Sequence, residues 1–185
     1  ARLDLSLSFG VFDQDKDKLV AFILNGIDQR DGYLTAFNTG TGVIESHRGQ
    51  KLVDQIYQFA LPILKQKGIE KCVLEVIQAN HRAIRVYERI GFSICRNYPC
   101  FKGEIPDDQL EVIAEPIDLG SYQQRENPSI GYYSWDHGME AVNVLADSYQ
   151  AYLVRNQSKE IVGQFLINPT NGNLAQLEAS PNHFP

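Results

Sequence analysis

Cysteine is scarce in this 185-residue sequence, and its three cysteines, Cys72, Cys95 and Cys100, form no CxxC pair. This pattern argues against a disulfide-rich framework and predicts reduced thiols in a cytoplasmic protein. A disulfide between Cys95 and Cys100 is the less favoured alternative. Histidine is also scarce, and neither His137 nor His183 has neighbours typical of a metal site, so no metal is expected.

Basic residues are outnumbered, with 17 Lys and Arg against 23 Asp and Glu and a net charge of −6. This balance argues against a general nucleic-acid binder, although it leaves a local basic pocket open. No apolar run is long enough to span a membrane. No signal-peptide pattern opens the chain at ARLDLSLSFG, and this abrupt start leaves open that residues precede Ala1. With 43% hydrophobic residues the chain can bury a core.

The first hundred residues show a change from strand patterns to helix patterns. Three apolar or alternating segments joined by short polar turns predict an antiparallel meander over residues 3–12, 19–27 and 33–44. Helix, strand, helix and strand are then predicted at 52–67, 71–77, 80–90 and 91–103. A right-handed crossover through the first helix would make the third and fourth strands parallel. The fold class is therefore α/β or α+β with a mixed sheet.

The two predicted helices carry distinct sequence signals. The first presents six apolar residues at helical spacing: Leu52, Ile56, Phe59, Ala60, Ile63 and Leu64. Pro62 lies within this pattern and should produce a kink or a break. The second has Asn80 as its N-cap and Gly91 just past its end, and its strand neighbour at 71–77 should be buried.

A polar, proline-bearing link, EIPDDQ, predicts a boundary between residues 1–104 and 105–185. In the second part we expect a strand at 110–119, a loop at 121–131, a helix starting at Ser134, and strands at 151–157, 160–169 and 173–181. A weak repeat aligns Leu19-Val20 with Ile161-Val162, and places His183 and Phe184 opposite His47 and Arg48. Chance similarity between two meanders is an equally good explanation of this repeat.

The stretch GTGVIESHRGQKL, residues 40–52, resembles a phosphate-binding loop without matching a common motif. It lacks the third glycine of the dinucleotide fingerprint and is not a P-loop. It does place His47, Arg48 and Lys51 beside the start of a helix, where unpaired N–H groups can hold a phosphate. A solvated basic turn is the alternative, and the loop alone does not exclude it.

Part of this sequence resembles a known protein family. The resemblance is carried by the stretch TGTGVIESHRGQKL, the amphipathic helix that follows it, and the stretch VLEVIQANHRAIRVYERIGF. Together these segments resemble the GNAT superfamily of acetyl-CoA-dependent acyltransferases. The resemblance covers most of residues 1–103. It implies a mixed sheet with a central parallel pair of strands and flanking helices, an acetyl-CoA-binding domain at 1–104, and a second, partial GNAT-like lobe at 105–185. Arg48 matches the family's loop, whereas Lys51 and Val53 depart from its glycine or alanine positions. Lys51 could still present its backbone N–H in a helical conformation, and Val53 would push the cofactor outward.

The resemblance also implies roles for individual residues. The pantetheine arm would lie where the third and fourth strands splay apart, bonded to the backbone around Val43. The implied contacts to acetyl-CoA are Val43, Ile44, His47, Arg48, Gly49, Gln50, Lys51, Leu52, Val53, Asn80 and Ala83. Tyr87 would protonate the departing thiolate, and Glu75 or Glu45 would assist a base. Three alternatives stay open: Asn80 as a helix cap only, Tyr87 as a packing aromatic, and Glu75 as an ion-pair partner.

These features predict an N-acetyltransferase that moves an acetyl group from acetyl-CoA to an amine of a small molecule or peptide. The alternatives are a non-catalytic CoA-binding sensor and a structural lobe without cofactor in a tandem protein. Neither nucleic acid nor membrane is an expected partner, and a homodimer is left open. The second lobe is expected to bind no CoA, because Phe184 stands at the place of the loop arginine.

Overall fold

The computed structural model describes residues 2–104, 112–125 and 133–180, and the chain divides into two units between Asn97 and Tyr98. The boundary predicted after residue 104 lies a few residues beyond this division. His183 and Phe184 lie outside the described residues, as does most of the predicted link. The GNAT-like character of the second unit remains a prediction.

The first unit opens with an antiparallel meander of three strands: β1 (Leu3–Asp13), β2 (Lys18–Arg30) and β3 (Tyr33–Val43). The turns between them are tight because Asp17, Asp31 and Gly32 adopt left-handed backbone conformations, with φ of 45°, 52° and 79°. The predicted meander is confirmed.

A helix, a strand and a second helix follow: α1 (Leu52–Gln66), β4 (Lys71–Leu74) and α2 (His81–Ile90). β4 pairs in parallel with β3, from Thr35 opposite Lys71 to Asn38 opposite Leu74. The sheet order is β1-β2-β3-β4, so the mixed sheet and its parallel pair are confirmed. Of the two predicted effects of Pro62, a kink or a break, the break is wrong and the kink stays a prediction. The helix continues to Gln66 because buried side chains on either side of Pro62 anchor it to the sheet.

The core of the first unit lies between α1 and the sheet. The buried residues of α1 are Leu52, Ile56, Tyr57, Ala60 and Leu64, and they pack on the strand residues Val20, Ala21, Ile23 and Ala36. Phe59 was predicted on this face, but it is 66% exposed and only touches Phe9 edge to face, with ring centroids 6.0 Å apart. Tyr57 is buried instead, because Asn38 bonds its hydroxyl and the rings of Tyr87 and Phe92 pack against it.

Of two further strand predictions in the first hundred residues, the one at 71–77 was right in part and the one at 91–103 was wrong. The segment 71–77 is a half-buried strand only as far as Leu74, and residues 91–104 contain no strand. Pro99 removes one backbone donor, and Ile94 and Phe101 are 66% and 94% exposed. Phe92 packs against the core, but alternation does not produce a strand when the apolar residues that follow it, Ile94 and Phe101, stay exposed.

The second unit is one antiparallel sheet with two short helices. Its elements are β5 (Val112–Ile117), α3 (Leu119–Gln123), α4 (Met139–Val144), β6 (Gln150–Asn156), β7 (Ile161–Asn168) and β8 (Asn173–Ala179), with strand order β5-β6-β7-β8. The four strand predictions are confirmed. The helix begins at Met139 rather than near Ser134, because Gly138 is the N-cap and the Ser134 hydroxyl bonds the His137 ring at 2.8 Å. Helix α3 occupies the start of the predicted loop at 121–131, whose remainder is largely outside the described residues.

The two meanders share a register shift of the β-bulge type. Val20 has no partner in the β1–β2 pairing, and Val162 has none in the β6–β7 pairing. The carbonyl of Val20 accepts a bond from the Ile44 amide at 3.0 Å, and that of Val162 accepts one from the Ser180 amide at 2.8 Å. A second register shift follows in each meander at the matching position of its third strand. The weak sequence repeat, which aligned Val20 with Val162, is thus a structural repeat of the bulged meander.

Candidate functional site

One edge of β3 lacks a partner in β4. The parallel pairing stops at Asn38 and Leu74, whereas β3 continues to Val43. On its other side this stretch stays bonded to β2. The strands therefore separate at the place where the resemblance puts the pantetheine arm, and an extended ligand could bond to the backbone of residues 41–43 there.

The loop after β3 leads into the start of α1 through two left-handed residues. A single 3-10 turn at Glu45–His47 is followed by Gly49 with φ of 84° and Lys51 with φ of 55°. Lys51 is the N-cap residue of α1, and no side chain caps the helix there. The expectation that Lys51 would be helical is wrong. Since left-handed backbone favours glycine, the structure gives a physical reason for the glycine that the family has at this position.

The charged residues of the loop are held in different ways. Nε of exposed Arg48 donates to the carbonyl oxygen of Val43 at 3.3 Å, across the end of β3. His47 lies 3.6 Å from the carboxylate of Asp13, and its Nδ1 is 2.9 Å from the Ser46 hydroxyl. Arg48 thus reaches the backbone around Val43 predicted to bind the pantetheine arm, while His47 faces the β1–β2 turn.

The first residues of α1 point toward the protein interior. Leu52 is 9% exposed and Val53 packs against the core of the first unit. The Gln50 carbonyl accepts a bond from the side chain of Gln55 at 3.2 Å. The bulk of Val53, expected to push a cofactor outward, is therefore accommodated by the core.

The predicted residues on α2 and after β4 lie at helix and strand ends. Oδ1 of Asn80 accepts the Ala83 amide at 3.2 Å, so Asn80 caps α2 as predicted. Glu75 directly follows β4 and Glu45 begins the 3-10 turn, and both are exposed. Their roles as bases remain predictions.

Tyr87 brings α2 to the unpaired stretch of β3. Its hydroxyl donates to Oγ1 of Thr41 at 3.0 Å. Its ring is half-buried and meets the rings of Tyr57 and Phe92 edge to face, with centroids 6.4 and 5.8 Å apart. A phenol is therefore held by aromatic packing with its hydroxyl at the strand gap.

Comparison with known proteins matches this arrangement to one family. A sequence model of the acetyltransferase (GNAT) family matches residues 2–92. Over these residues the chain is similar to the GNAT family. N-alpha-acetyltransferase 30 of Schizosaccharomyces pombe is 29% identical over 83 residues, which are 44% of this chain and 54% of that protein. The chain therefore spans about half the length of this curated relative.

Solved GNAT-like structures resemble the chain over a similar share of its length. AAC(6')-Iy in complex with a bisubstrate analog is 17% identical, with a TM-score of 0.45 over 53% of this chain and 69% of its own. Glucosamine-6-phosphate N-acetyltransferase from Arabidopsis thaliana is 18% identical, with a TM-score of 0.44 over 52% of this chain and 66% of its own.

Sequence reasoning missed three residues of the first unit's candidate site: Asn38, Thr41 and Tyr57. Nδ2 of Asn38 donates to the hydroxyl oxygens of both Thr41 and Tyr57 at 2.7 Å. Burial raises the pKa of Tyr57 well above its ordinary value, so this phenol stays neutral. The available signal was the polar run that Asn38, Thr39 and Thr41 form after the apolar residues Ala36 and Phe37 of the strand.

Metal-binding groups, cysteines and membrane-spanning helices were also considered in the sequence predictions. Across residues 2–104, 112–125 and 133–180, no group of three His, Cys, Asp or Glu side chains could hold a metal ion. All three cysteines are free thiols, and burial raises the pKa of Cys72. Within the same ranges, no helix is both long and apolar enough to cross a membrane.

Proposed function

We propose that the first unit transfers an acetyl group from acetyl-CoA to an amine. The observation that carries this proposal is the 3.0 Å bond from the Tyr87 hydroxyl to Thr41, on the stretch of β3 that has no partner in β4. A proton donor is thereby held beside a strand edge that can bond an extended ligand.

Several features of the loop fit the diphosphate of acetyl-CoA. The start of α1 has no side-chain cap, so its first N–H groups can receive an anion. Arg48 and Lys51 place two positive charges beside it. A Cβ added at Gly49 would meet no atom within 4 Å, so the loop leaves room for a ligand beside this residue. Arg48 and the α1 start would hold the diphosphate, and backbone groups of residues 41–43 would hold the pantetheine arm.

The chain's own part in the reaction is proton transfer. When bound, acetyl-CoA supplies the acetyl group and a thiol leaving group. An attacking amine must lose a proton and the sulfur must gain one. Tyr87 holds a proton at its hydroxyl oxygen for the sulfur, and Glu75 or Glu45 would take the amine proton through water.

The acceptor we propose is an amine of a small molecule or a peptide. Because the curated relative is named an N-alpha-acetyltransferase, peptides with a free α-amino group come first in a panel of acceptors. A cytoplasmic location stays a prediction from cysteine usage, and the homodimer stays open.

Calorimetric titration of the full chain with acetyl-CoA is the first test, followed by thiol release with a panel of amines. Binding with amine-dependent thiol release is the expected result. Binding without release on any amine would favour a CoA-binding sensor. No binding at millimolar acetyl-CoA would overturn the proposal and favour a structural lobe.

A further inference from the structure

The Thr41 hydroxyl receives two hydrogen bonds from opposite sides of the site. One comes from the amide nitrogen of Asn38 at 2.7 Å, and the other from the Tyr87 hydroxyl at 3.0 Å. Thr41 is exposed at the gap, whereas Asn38 is only 8% exposed. Thr41 therefore links a buried donor to the proposed acid.

The side-chain amide of Asn38 is held in one orientation, in which its nitrogen donates to Thr41. Its Oδ1 accepts the Gly40 amide at 3.0 Å, which sets the orientation of the side-chain amide and leaves Nδ2 facing two hydroxyl groups. One of these belongs to Tyr57, which is 2% exposed and meets Nδ2 at 2.7 Å. With all its groups engaged by the protein, Asn38 is a fixed donor to Thr41.

This fixed donor determines what the Thr41 hydroxyl can do. A hydroxyl has one hydrogen to donate and can accept from two partners. Because Asn38 and Tyr87 both donate to Oγ1, the hydrogen of Thr41 is left to turn elsewhere. When Tyr87 loses its proton, its oxygen becomes a strong acceptor and the hydrogen of Thr41 can turn to it.

We propose that Thr41 is a positioning residue that orients the Tyr87 hydroxyl in the resting state and stabilises its oxygen after proton transfer. This inference rests on the proposed acetyl transfer. In that reaction the amine nitrogen bonds to the acetyl carbon and its proton passes through water to Glu75 or Glu45, while the carbon–sulfur bond breaks. The sulfur takes the proton of Tyr87, and solvent later returns a proton to the Tyr87 oxygen.

The same strand offers a matched control. Thr39 lies two residues before Thr41, and its hydroxyl donates to the Leu24 carbonyl at 3.3 Å rather than to α2. Thr41→Val removes one hydroxyl and keeps the shape of the side chain, and Thr39→Val does the same at a position without contact to Tyr87. Thr41→Ser keeps the hydroxyl.

The test measures kcat and KM for acetyl-CoA in these variants, alone and combined with Tyr87→Phe, using the best amine of the panel. We expect Thr41→Val to lower kcat about tenfold, on the scale of a lost bond to a charged oxygen. KM should change less than about twofold. Thr41→Ser should restore kcat and Thr39→Val should leave it near wild type. In the Tyr87→Phe background, Thr41→Val should cause no further loss.

The outcomes separate this inference from the proposed function. If Tyr87→Phe lowers kcat but Thr41→Val keeps the wild-type kcat, the positioning role of Thr41 is overturned and the proposed acid is not. The same fold-loss from Thr41→Val in both backgrounds also overturns it, because Thr41 would then act without Tyr87. A Tyr87→Phe enzyme at wild-type kcat overturns the acid itself. Should Thr41→Val fail to fold, Thr41→Ala deletes the same hydroxyl and decides by the same criteria.

Discussion

Asp54 and Arg89 join the first turn of α1 to the last turn of α2 by two hydrogen bonds. Nε and Nη2 of Arg89 donate to Oδ1 and Oδ2 of Asp54 at 2.6 and 2.8 Å. The Asp54 side chain is 15% exposed. Because Tyr87 lies two residues before Arg89, this pair fixes the helix that carries the proposed acid to the helix whose start forms the proposed diphosphate site.

The ion pair makes a pH-dependent contribution to stability. The bonds from Arg89 hold the pKa of Asp54 below its ordinary value. A carboxyl with a lowered folded-state pKa stabilises the protein above its unfolded-state value, about 3.9, and loses that contribution as pH falls through the folded-state value. We expect Asp54→Asn to be less stable than wild type near pH 6 and to show a smaller loss of stability below about pH 4. Denaturant unfolding at a series of pH values measures this.

Arg89→Gln serves as the companion variant, because it removes the same bonds from the other side. Like Asp54→Asn, it should reduce the loss of stability that occurs as the pH falls below about 4. Parallel stability curves for wild type and both variants would contradict the prediction.

Lys51→Gly should stabilise the chain by about 0.5–1 kcal/mol. A non-glycine residue in left-handed backbone costs about 1–2 kcal/mol, which is partly offset by the greater unfolded-state entropy of glycine. Lys51 has φ of 55°. Lys51→Ala is the control, since it removes the same side chain without relieving the backbone. Equal free energies of unfolding for the two variants would show that backbone strain is not the cause.

Arg48→Ala should weaken acetyl-CoA binding by about 1–3 kcal/mol, the scale of a lost charge-assisted hydrogen bond. Calorimetry on the full chain measures the effect. Arg30→Ala is a charge-matched control, because Arg30 ends β2 beside the start of β3, whereas Arg48 lies beyond its end. An unchanged affinity in Arg48→Ala, or an equal loss in both variants, would remove Arg48 from the site.

Tyr87→Phe should lower kcat by about 10²–10⁴-fold, the usual contribution of general acid catalysis, and leave acetyl-CoA affinity near wild type. The substitution keeps the ring contacts with Tyr57 and Phe92 and removes only the hydroxyl bonded to Thr41. Steady-state kinetics under conditions where chemistry limits the rate provide the measurement. A kcat within about twofold of wild type would show that Tyr87 is only a packing residue.

The second unit should bind no CoA, so titration should give one acetyl-CoA per chain. The matched register shifts make Leu177 of β8 the equivalent of Thr41 in β3. The backbone at Leu177 is already engaged, because its amide donates to the Tyr133 hydroxyl at 3.2 Å and its carbonyl accepts from the same hydroxyl at 3.2 Å. A stoichiometry of two, or one site that survives Arg48→Ala at full affinity, would contradict this prediction.

The local elements of this protein follow from its sequence. The meander, the helix that Asn80 starts and Gly91 ends, and the strands of the second unit were all predictable, because alternation, capping and turn residues act over a few positions. The resemblance at residues 39–52 and 73–92 pointed to the loop and to Tyr87 for the same reason, since such motifs are local in the chain.

Other features were decided by tertiary structure, because they depend on which surfaces meet. The strand predicted at 91–103 did not form, since its later apolar residues Ile94 and Phe101 stay exposed, and Tyr57 rather than Phe59 faces the sheet. The left-handed backbone of Lys51 follows from the path of the loop between β3 and α1. The bond from Tyr87 to Thr41 joins residues 46 positions apart. Sequence patterns report the preferences of single segments, whereas such contacts arise only when packing brings distant segments together.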